Sequence, residues 1–228
     1  MLNENNEITS SFLHCLSQWP ALDPFLNIER AENKPMQQQY AVQCGIPIPS
    51  SIITNSVKKA IAFMHDKNKK YITKLLRPVC WGMQGGEDFF YTSFLTKKDI
   101  EASYFVVHPI LIQEFIPKQY ELRIAYVSGD FFTGKLMVDE YEADWRRPGK
   151  VSSWHEYTLP EPVCKKLQRL MKKLGLNFGA IDMIRGSDGK YYFLEVNPIG
   201  EWGMLEKFLG LPISAAITRH LIKITRNE

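Results

Sequence analysis

Residues 193–202 combine the pattern of a buried strand with polar side chains that could hold a cation. They read FLEVNPIGEW, so Glu195 and Asn197 stand two positions apart just before a proline. Because a β-strand sends residues i and i+2 to the same face, both side chains point to one side of the sheet. A carboxylate on a buried face is costly unless another group compensates its charge. The sequence therefore predicts a partner for Glu195 from elsewhere in the chain.

The preceding residues bring a second carboxylate to that face through a β-hairpin. Two β-rich runs, 178–184 and 190–196, flank an Asp-Gly dipeptide at 188–189, which is typical of a two-residue hairpin turn. With a turn of that length, counting back along both strands sets Asp182 directly opposite Glu195. A slip of one residue would put Asp182 on the other face.

Two facing carboxylates beside a carboxamide indicate a metal site. Like charges at that separation destabilise a sheet, whereas Mg²⁺ takes hard oxygen ligands from Asp, Glu and Asn and commonly keeps waters and substrate phosphates as well. Asp182, Glu195 and Asn197 are therefore the predicted metal ligands. The alternative is a pair in which one carboxylate is protonated, or a pair solvated at a sheet edge.

Composition limits the function classes. The chain has 228 residues, of which 45% are hydrophobic, and a net charge of +3, so it can bury a core and shows no nucleic-acid footprint. Its four cysteines have no metal-binding spacing, and it contains neither a signal peptide nor an apolar run long enough to span a membrane. We expect a cytoplasmic protein without nucleic-acid or membrane partners.

Periodicity and turn signals predict an α+β fold with largely antiparallel sheets. A strand at 71–76 contains Lys74, and three glycines between residues 81 and 86 suggest a mobile loop. Residues 1–30 are turn-rich without clear periodicity. The other predicted elements are helices at 32–44, 55–66, 97–102, 160–174, 202–209 and 212–225, and strands at 88–95, 109–116, 121–127 and 131–138.

The order of these pieces resembles the ATP-grasp superfamily of carboxylate-amine ligases. A strand lysine, a glycine-rich loop, an apolar strand ending in QEFI and a carboxylate hairpin ending in EVNP follow one another across residues 30–220. The closer resemblance is to the microviridin-type (graspetide) peptide maturases. The stretches GIPIPSSIIT, QEFIPKQYELRIAYV, DWRR and GLPISAAI carry it. Where those maturases commonly read NPNGQW, this chain has Ile199 and Glu201.

The resemblance implies two α/β lobes that enclose a nucleotide. Residues 31–115 would form the central lobe with the lysine strand and glycine-rich loop, and residues 116–228 the C-terminal lobe with the metal-binding hairpin. Residues 1–30 are interpreted as an N-terminal remnant or linker, with the N-terminal pre-ATP-grasp domain of the family largely absent.

The resemblance also assigns nucleotide contacts. Lys74 would neutralise phosphate oxygens, since a point cation on a strand suits that role; a snorkelling surface lysine is the alternative. The backbone of Gln113, Glu114, Phe115 and Ile116 would meet the adenine edge, with Glu114 near the amino group, although Gln113 also fits an ordinary strand end. Glu121 would lie near the ribose.

Three basic residues are the candidate catalytic groups. Arg123 shares a strand face with Glu121 and would meet the reacting carboxylate or the γ-phosphate; a cross-strand ion pair is the competing account for both residues. Arg146, the first arginine of DWRR, would hold a phosphate or a peptide carboxylate, or be a surface arginine. Lys135 would lie opposite Arg123 if the turn at 128–130 has three residues, a register that the sequence leaves open.

Together these features imply an ATP-dependent ligase. Such an enzyme phosphorylates a carboxylate, and an amine or hydroxyl then attacks the acyl phosphate. Expected cofactors are ATP and two Mg²⁺ ions, and expected partners are a precursor peptide with its leader and a second copy in a homodimer. The product would be a side-chain ester or amide crosslink in a ribosomally made peptide. Alternatives are a ligase that adds amino acids to a protein tail or small molecule, and a non-catalytic remnant that binds nucleotide or leader peptide.

Overall fold

The computed structural model describes residues 2–16, 19–74, 81–83, 86–88, 92–102, 108–144 and 153–226. Within these ranges the chain has the predicted α+β arrangement with antiparallel sheets. The helices are α1 (Leu2–Leu16), α2 (Phe25–Ala31), α3 (Lys34–Gln43), α4 (Val57–Phe63), α5 (Lys97–Ala102), α6 (Glu161–Leu174), α7 (Gly203–Leu209) and α8 (Ile213–Arg226). The strands are β1 (Ser51–Thr54), β2 (Tyr71–Lys74), β3 (Trp81–Met83), β4 (Gly86–Asp88), β5 (Ser93–Leu95), β6 (Ile110–Glu114), β7 (Lys118–Val127), β8 (Asp130–Met137), β9 (Trp154–Glu156), β10 (Phe178–Gly186) and β11 (Tyr191–Asn197).

A five-stranded sheet with strand order β11-β10-β7-β8-β9 forms the larger half of the molecule. Its first face carries the main core, because β7 and β10 alternate apolar residues that α2, α3 and α6 cover. Helix α6 is amphipathic and ends at Gly175, whose φ of +72° is a backbone region that glycine adopts without strain. The residues buried most completely in this core are Leu122, Ile124, Leu167, Leu170, Met171, Ile181 and Phe193.

In the part of the chain that the structure describes, the second face of this sheet is covered by helices at one end only. Helices α7 and α8 cover one end, where Ala125, Val127 and Phe178 pack against Leu205 and Ile213. The other end of the same face carries charged side chains instead of a second apolar core. The packing therefore leaves a polar surface on strands that are rigid on their opposite side.

A four-stranded sheet, ordered β1-β6-β2-β5, forms the smaller half. Ile112, Tyr71 and Ile100 pack with helices α4 and α5 on one of its faces. Strand β6 continues through residues 115–117 into β7, so this short segment joins the two sheets. Strands β3 and β4 form a separate two-stranded sheet from residues predicted as a glycine-rich loop.

The N-terminal residues are more ordered than their turn-rich sequence suggests, since they form α1 and α2. Helix α2 contributes Ala31 and Ile28 to the main core. Helix α3 follows it onto the five-stranded sheet, although it precedes β1 of the smaller sheet in the chain. In the described ranges, no helix is long and apolar enough to cross a membrane.

The hairpin between β10 and β11 has the predicted pairing of Asp182 with Glu195, but its turn is one residue longer than predicted. Gly186 pairs with Lys190 around a three-residue turn in which Gly189 has a φ of +81°, so the predicted two-residue turn is wrong. That turn alone would set Asp182 opposite Leu194. A β-bulge in β11 adds one residue and restores the register, so Asp182 pairs with Glu195 as predicted.

Asp23 joins the N-terminal segment to the start of β10. Its carboxylate accepts the backbone N–H groups of Asn177, at 2.5 Å, and Phe178, at 2.9 Å, and its side chain is buried. Burial raises the pKa of Asp23, and the two N–H groups oppose that rise. The contact replaces strand partners that these two amides would otherwise need.

We expect Asp23→Ala to lower the free energy of unfolding by about 1–3 kcal/mol, because two amides then lack an acceptor. Urea denaturation measures the change. Glu29→Ala removes the same charge from an exposed position on α2 and should shift the unfolding free energy by no more than about 0.5 kcal/mol. Equal losses in both variants would contradict the capping role.

Candidate active site

Arg123 holds Asp182 from the neighbouring strand. The two residues are paired in the β7–β10 register, and Arg123 Nη1 lies 2.9 Å from each carboxylate oxygen of Asp182. Arg123 also donates from Nη2 and Nε to the backbone oxygen of Glu201, at 2.8 and 3.2 Å. One guanidinium thus fixes both the Asp182 carboxylate and the turn that follows β11.

Lys34 compensates the second carboxylate of the pair. Its Nζ lies 2.5 Å from Glu195 Oε2, and both side chains are largely shielded from solvent. The lysine reaches this point because it begins α3, which packs beside the edge strand β11. Asn33 caps that helix by accepting the N–H of Met36 at 3.0 Å.

Asn197 ends β11 on the same face as the two carboxylates. It pairs with Ala180 in the β10–β11 register, and its Oδ1 accepts the N–H of Ile199 at 3.2 Å. Gly200 N–H bonds to the Asn197 carbonyl at 3.1 Å and closes the turn. A Cβ on Gly200 would lie 2.6 Å from Ala180 Cβ, so the turn is packed tightly against β10.

Glu121 lies one pair further along the same face, where Ile184 is its partner on β10. Lys118 Nζ contacts Glu121 Oε1 at 2.5 Å, and both side chains are nearly buried. Burial raises the pKa of Glu121, the Lys118 charge opposes the rise, and the carboxylates of Asp182 and Asp144 add to it. Asp144 is buried and accepts the N–H of Thr92 at 3.0 Å, which ties the smaller sheet to this face.

The charge balance of this face favours a cation. Among the described residues it carries four carboxylates against three basic side chains: Glu121, Asp144, Asp182 and Glu195 against Lys34, Lys118 and Arg123. Their oxygens suit Mg²⁺, and the carboxamide Oδ1 of Asn197 retains a second lone pair beside its bond to Ile199. No cluster of three or more His, Cys, Asp or Glu occurs in the described ranges. Two carboxylates, of Asp182 and Glu195, and the amide oxygen of Asn197 nevertheless have the donor chemistry that suits a magnesium ion.

The smaller sheet presents Lys74 and Gln113 on one face. Lys74 pairs with Leu111 and Gln113 with Ile72, so these side chains point away from α4 and α5. Gln113 is 1% exposed, and no described residue accepts a hydrogen bond from its Nε2. A buried amide group of this kind is a candidate donor to a ligand.

The segment that joins the sheets keeps one backbone donor unused. Glu114 N–H donates to Ser50 and Phe115 N–H to Lys70, whereas Ile116 N–H finds no partner among the described residues. The Glu114 side chain pairs with Lys69 at 2.9 Å, so any contribution of Glu114 to a ligand comes from its backbone. Phe115 is buried. Its ring meets the Phe94 ring edge-on and stacks against the Tyr141 ring.

Lys135 does not join the site, and its predicted position opposite Arg123 is wrong. The β7–β8 turn has two residues, Ser128 and Gly129, both at positive φ, so Lys135 pairs with Leu122. It therefore lies on the opposite face of the sheet from Arg123. Arg146 and Gly85 lie outside the described residues.

The comparisons with solved structures decide the family. The macrocyclase MdnC from Microcystis aeruginosa, solved with the precursor peptide MdnA, is 33% identical, with a TM-score of 0.83 over 96% of this chain and 69% of that one. The macrocyclase MdnB from the same organism is 36% identical, with a TM-score of 0.80 over 96% and 68%. The chain belongs to the ATP-grasp macrocyclases. The ATP-grasp ligase PsnB, solved with Mg, ADP and a precursor variant, is 20% identical and shares the fold, with a TM-score of 0.77 over 98% of this chain and 70% of that one.

Curated relatives of this macrocyclase-family chain are more distant ATP-grasp ligases. The glutathione synthetase of Thermosynechococcus vestitus is 22% identical over 221 residues, which are 90% of this chain and 65% of that protein. The tetrahydromethanopterin:α-L-glutamate ligase of Methanocaldococcus jannaschii is 22% identical over 222 residues, or 91% and 72%. The chain therefore spans about two thirds of the length of these relatives. No known family profile matches the sequence.

The structure adds three residues that the sequence did not identify as site groups. Lys34 contacts Glu195 and Lys118 contacts Glu121. The Asp144 carboxylate lies near enough to Glu121 to raise its pKa. Lys118 stood in the QEFIPKQYELRIAYV stretch and Asp144 in the DWRR stretch, so the macrocyclase resemblance covered both positions. The contacts of Lys34 and Asp144 join distant segments, which no local pattern signals, whereas Lys118 meets Glu121 three residues further along β7.

Gly200 gives a direct test of how the turn after β11 positions Asn197. We expect Gly200→Ala to displace Asn197 and to weaken Mg·ADP binding about 10–100-fold, since residues that support ligands have effects of that size. The stabilisation of thermal unfolding by Mg·ADP measures the affinity.

Gly203→Ala is the matched control, because nothing lies within 4 Å of a Cβ at that exposed position. It should bind Mg·ADP as the parent does. If Gly200→Ala also binds like the parent, the tight turn has no part in the site.

Proposed function

We propose that the protein is an ATP- and Mg²⁺-dependent ligase that forms ester or amide crosslinks between side chains of a ribosomally made precursor peptide. The observation that carries the proposal is the facing pair of Asp182 and Glu195, with Arg123 bonded to both oxygens of Asp182 and Lys34 paired with Glu195. The likeness to MdnC, which was solved with its precursor peptide, supports a peptide as the substrate.

In this proposal the two sheets bind opposite ends of the nucleotide. The backbone N–H of Ile116 and the side-chain amide of Gln113 offer donors for the adenine, and Lys74 would neutralise phosphate oxygens. Glu121, held by Lys118, lies at the ribose end. Each group is fixed by a packed strand, which keeps positioning costs low at the moment of reaction.

The carboxylate face binds the reacting end. Asp182, Glu195 and Asn197 would hold Mg²⁺, which when bound screens the charge between ATP and the carboxylate that attacks it. Arg123 orients Asp182 and, through the Glu201 carbonyl, the turn at 198–202. Arg146 remains a candidate for binding the phosphate or the peptide carboxylate.

The chemistry places the activated group on the peptide. A peptide Asp or Glu takes the γ-phosphoryl group and releases ADP; a hydroxyl or amine then attacks the acyl phosphate, loses its proton and releases phosphate. Ser153 Oγ and His155 Nε2 lie 3.0 Å apart, yet both are exposed and His155 pairs with Lys135 on the far face of the sheet. They offer no nucleophile to this site.

A second candidate is a ligase that adds an amino acid to a small molecule or a protein tail. Its support is the similarity over 91% of this chain to the tetrahydromethanopterin:α-L-glutamate ligase. Both candidates use the same acyl phosphate chemistry and differ in the nucleophile. The mass of the product separates them.

Mass spectrometry with a Thr/Ser/Lys- and Asp/Glu-rich precursor peptide encoded beside the gene tests the proposal. We expect each crosslink to consume one ATP, release one ADP and one phosphate, and leave the peptide lighter by one water. Hydroxylamine added during turnover should trap the acyl phosphate as a hydroxamate. A peptide heavier by a phosphate indicates a kinase, and one heavier by an amino acid residue indicates the second candidate.

Glu195→Gln is the matched inactive variant. It removes one anionic ligand and keeps the side-chain shape, so turnover should collapse while the fold is retained. Lys172→Gln, an exposed change on α6, should leave turnover unchanged. A fully active Glu195→Gln enzyme would remove Glu195 from the metal site.

A further inference from the structure

Three tyrosine hydroxyls form a chain on the face of the five-stranded sheet opposite the carboxylate pair. Tyr157 Oη lies 3.1 Å from Tyr120 Oη and 2.6 Å from Tyr191 Oη. Tyr120, Arg185 and Tyr191 occupy one row across β7, β10 and β11. All three rings are half-buried at the margin of the main core, so the hydroxyls are held in place by packing.

Two basic side chains lie against these rings. Lys135 Nζ is 5.5 Å from the centre of the Tyr120 ring and 5.9 Å from that of Tyr157, and the Arg185 guanidinium is 4.4 Å from that of Tyr191. Within the described ranges, neither cation makes an ion pair with a carboxylate. His155, the direct partner of Lys135 on β9, adds a further basic group and no negative charge.

The hydroxyl chain also has a proton to donate. Three phenols carry three protons, and the two contacts between them use two, so one O–H remains for an acceptor outside the chain. Burial raises the pKa of Tyr120 and of Tyr157, so these two phenols do not balance the two positive charges. Ring contacts with cations are weak at partly exposed sites and leave the positive charges in place.

We infer that Lys135, Arg185 and the hydroxyl chain of Tyr120, Tyr157 and Tyr191 form a second binding site, which takes a small oxyanion group such as a phosphate or a carboxylate. The cluster offers an ammonium, a guanidinium and an O–H donor on one half-buried surface. Charge-assisted hydrogen bonds from such groups to oxyanions are the stronger class. The site is separated from the proposed nucleotide site by the sheet itself, and its existence does not depend on the proposed ligase activity.

Two probes distinguish the sources of the oxyanion: inorganic phosphate stands for free or esterified phosphate, and N-acetylglutamate amide stands for an acidic peptide side chain. Each is titrated into the full chain with ¹³C-labelled tyrosine rings at constant ionic strength, and Tyr→Phe variants assign the signals. We expect at least one probe to shift the rings of Tyr120, Tyr157 and Tyr191 in a saturable way. The probe that binds more tightly identifies the source.

Charge-removing variants then test the two cations. Lys135→Gln and Arg185→Gln should each weaken binding of the effective probe by about fivefold or more. Lys172→Gln, which removes the same charge from an exposed position on α6, should leave the dissociation constant unchanged. All three variants should unfold at denaturant concentrations close to that of the parent. Rings that respond to neither probe, or dissociation constants that are equal in all variants, would overturn the site.

Discussion

Two like charges facing each other across β10 and β11 are the constraint on which the site depends. Asp182 and Glu195 occupy one pair of the register, an arrangement that destabilises a sheet unless each charge is compensated. Arg123 supplies one positive charge from the adjacent strand, and Lys34 supplies the other from the start of α3. The helix cap at Asn33, the bulge in β11 and the tight turn at Gly200 all serve to keep these four charged groups in register.

The contact between Arg123 and this turn also explains how the hairpin accommodates Ile199 and Glu201 after β11. Arg123 binds the backbone oxygen of Glu201, so this contact does not depend on the side chain at position 201. Ile199 is 69% exposed and bonds to Asn197 through its backbone N–H. The turn can therefore vary at both positions while Asn197 and Asp182 stay in place. Variation at such exposed positions is available for contacts with a substrate.

Local pattern predicted most strands, though not β3, β4 and β9, most helices and the face shared by the two carboxylates, because each depends on side-chain alternation within a few residues. Turn lengths were less predictable. The Asp-Gly turn has three residues rather than two, and the pairing survived only because the bulge offsets the difference. No bulge shifts the register of Lys135. The tight two-residue turn, with Ser128 at a φ of +48°, pairs it directly with Leu122. Non-glycine residues adopt that conformation rarely, so composition gives little warning.

The contacts of Lys34 and Lys118 lay beyond prediction for another reason. Lys34 reaches Glu195 only after α3 packs on the edge strand β11, far away in the chain, and Lys118 meets Glu121 three residues further along β7, where the β7–β10 register shifts. The most direct test of the account is calorimetric titration of ADP with and without Mg²⁺ into the parent and Glu195→Gln. We expect Mg²⁺ to raise the ADP affinity of the parent about tenfold or more and to have little effect in the variant. An equal gain from Mg²⁺ in both proteins would contradict the claim that the facing carboxylates hold the metal.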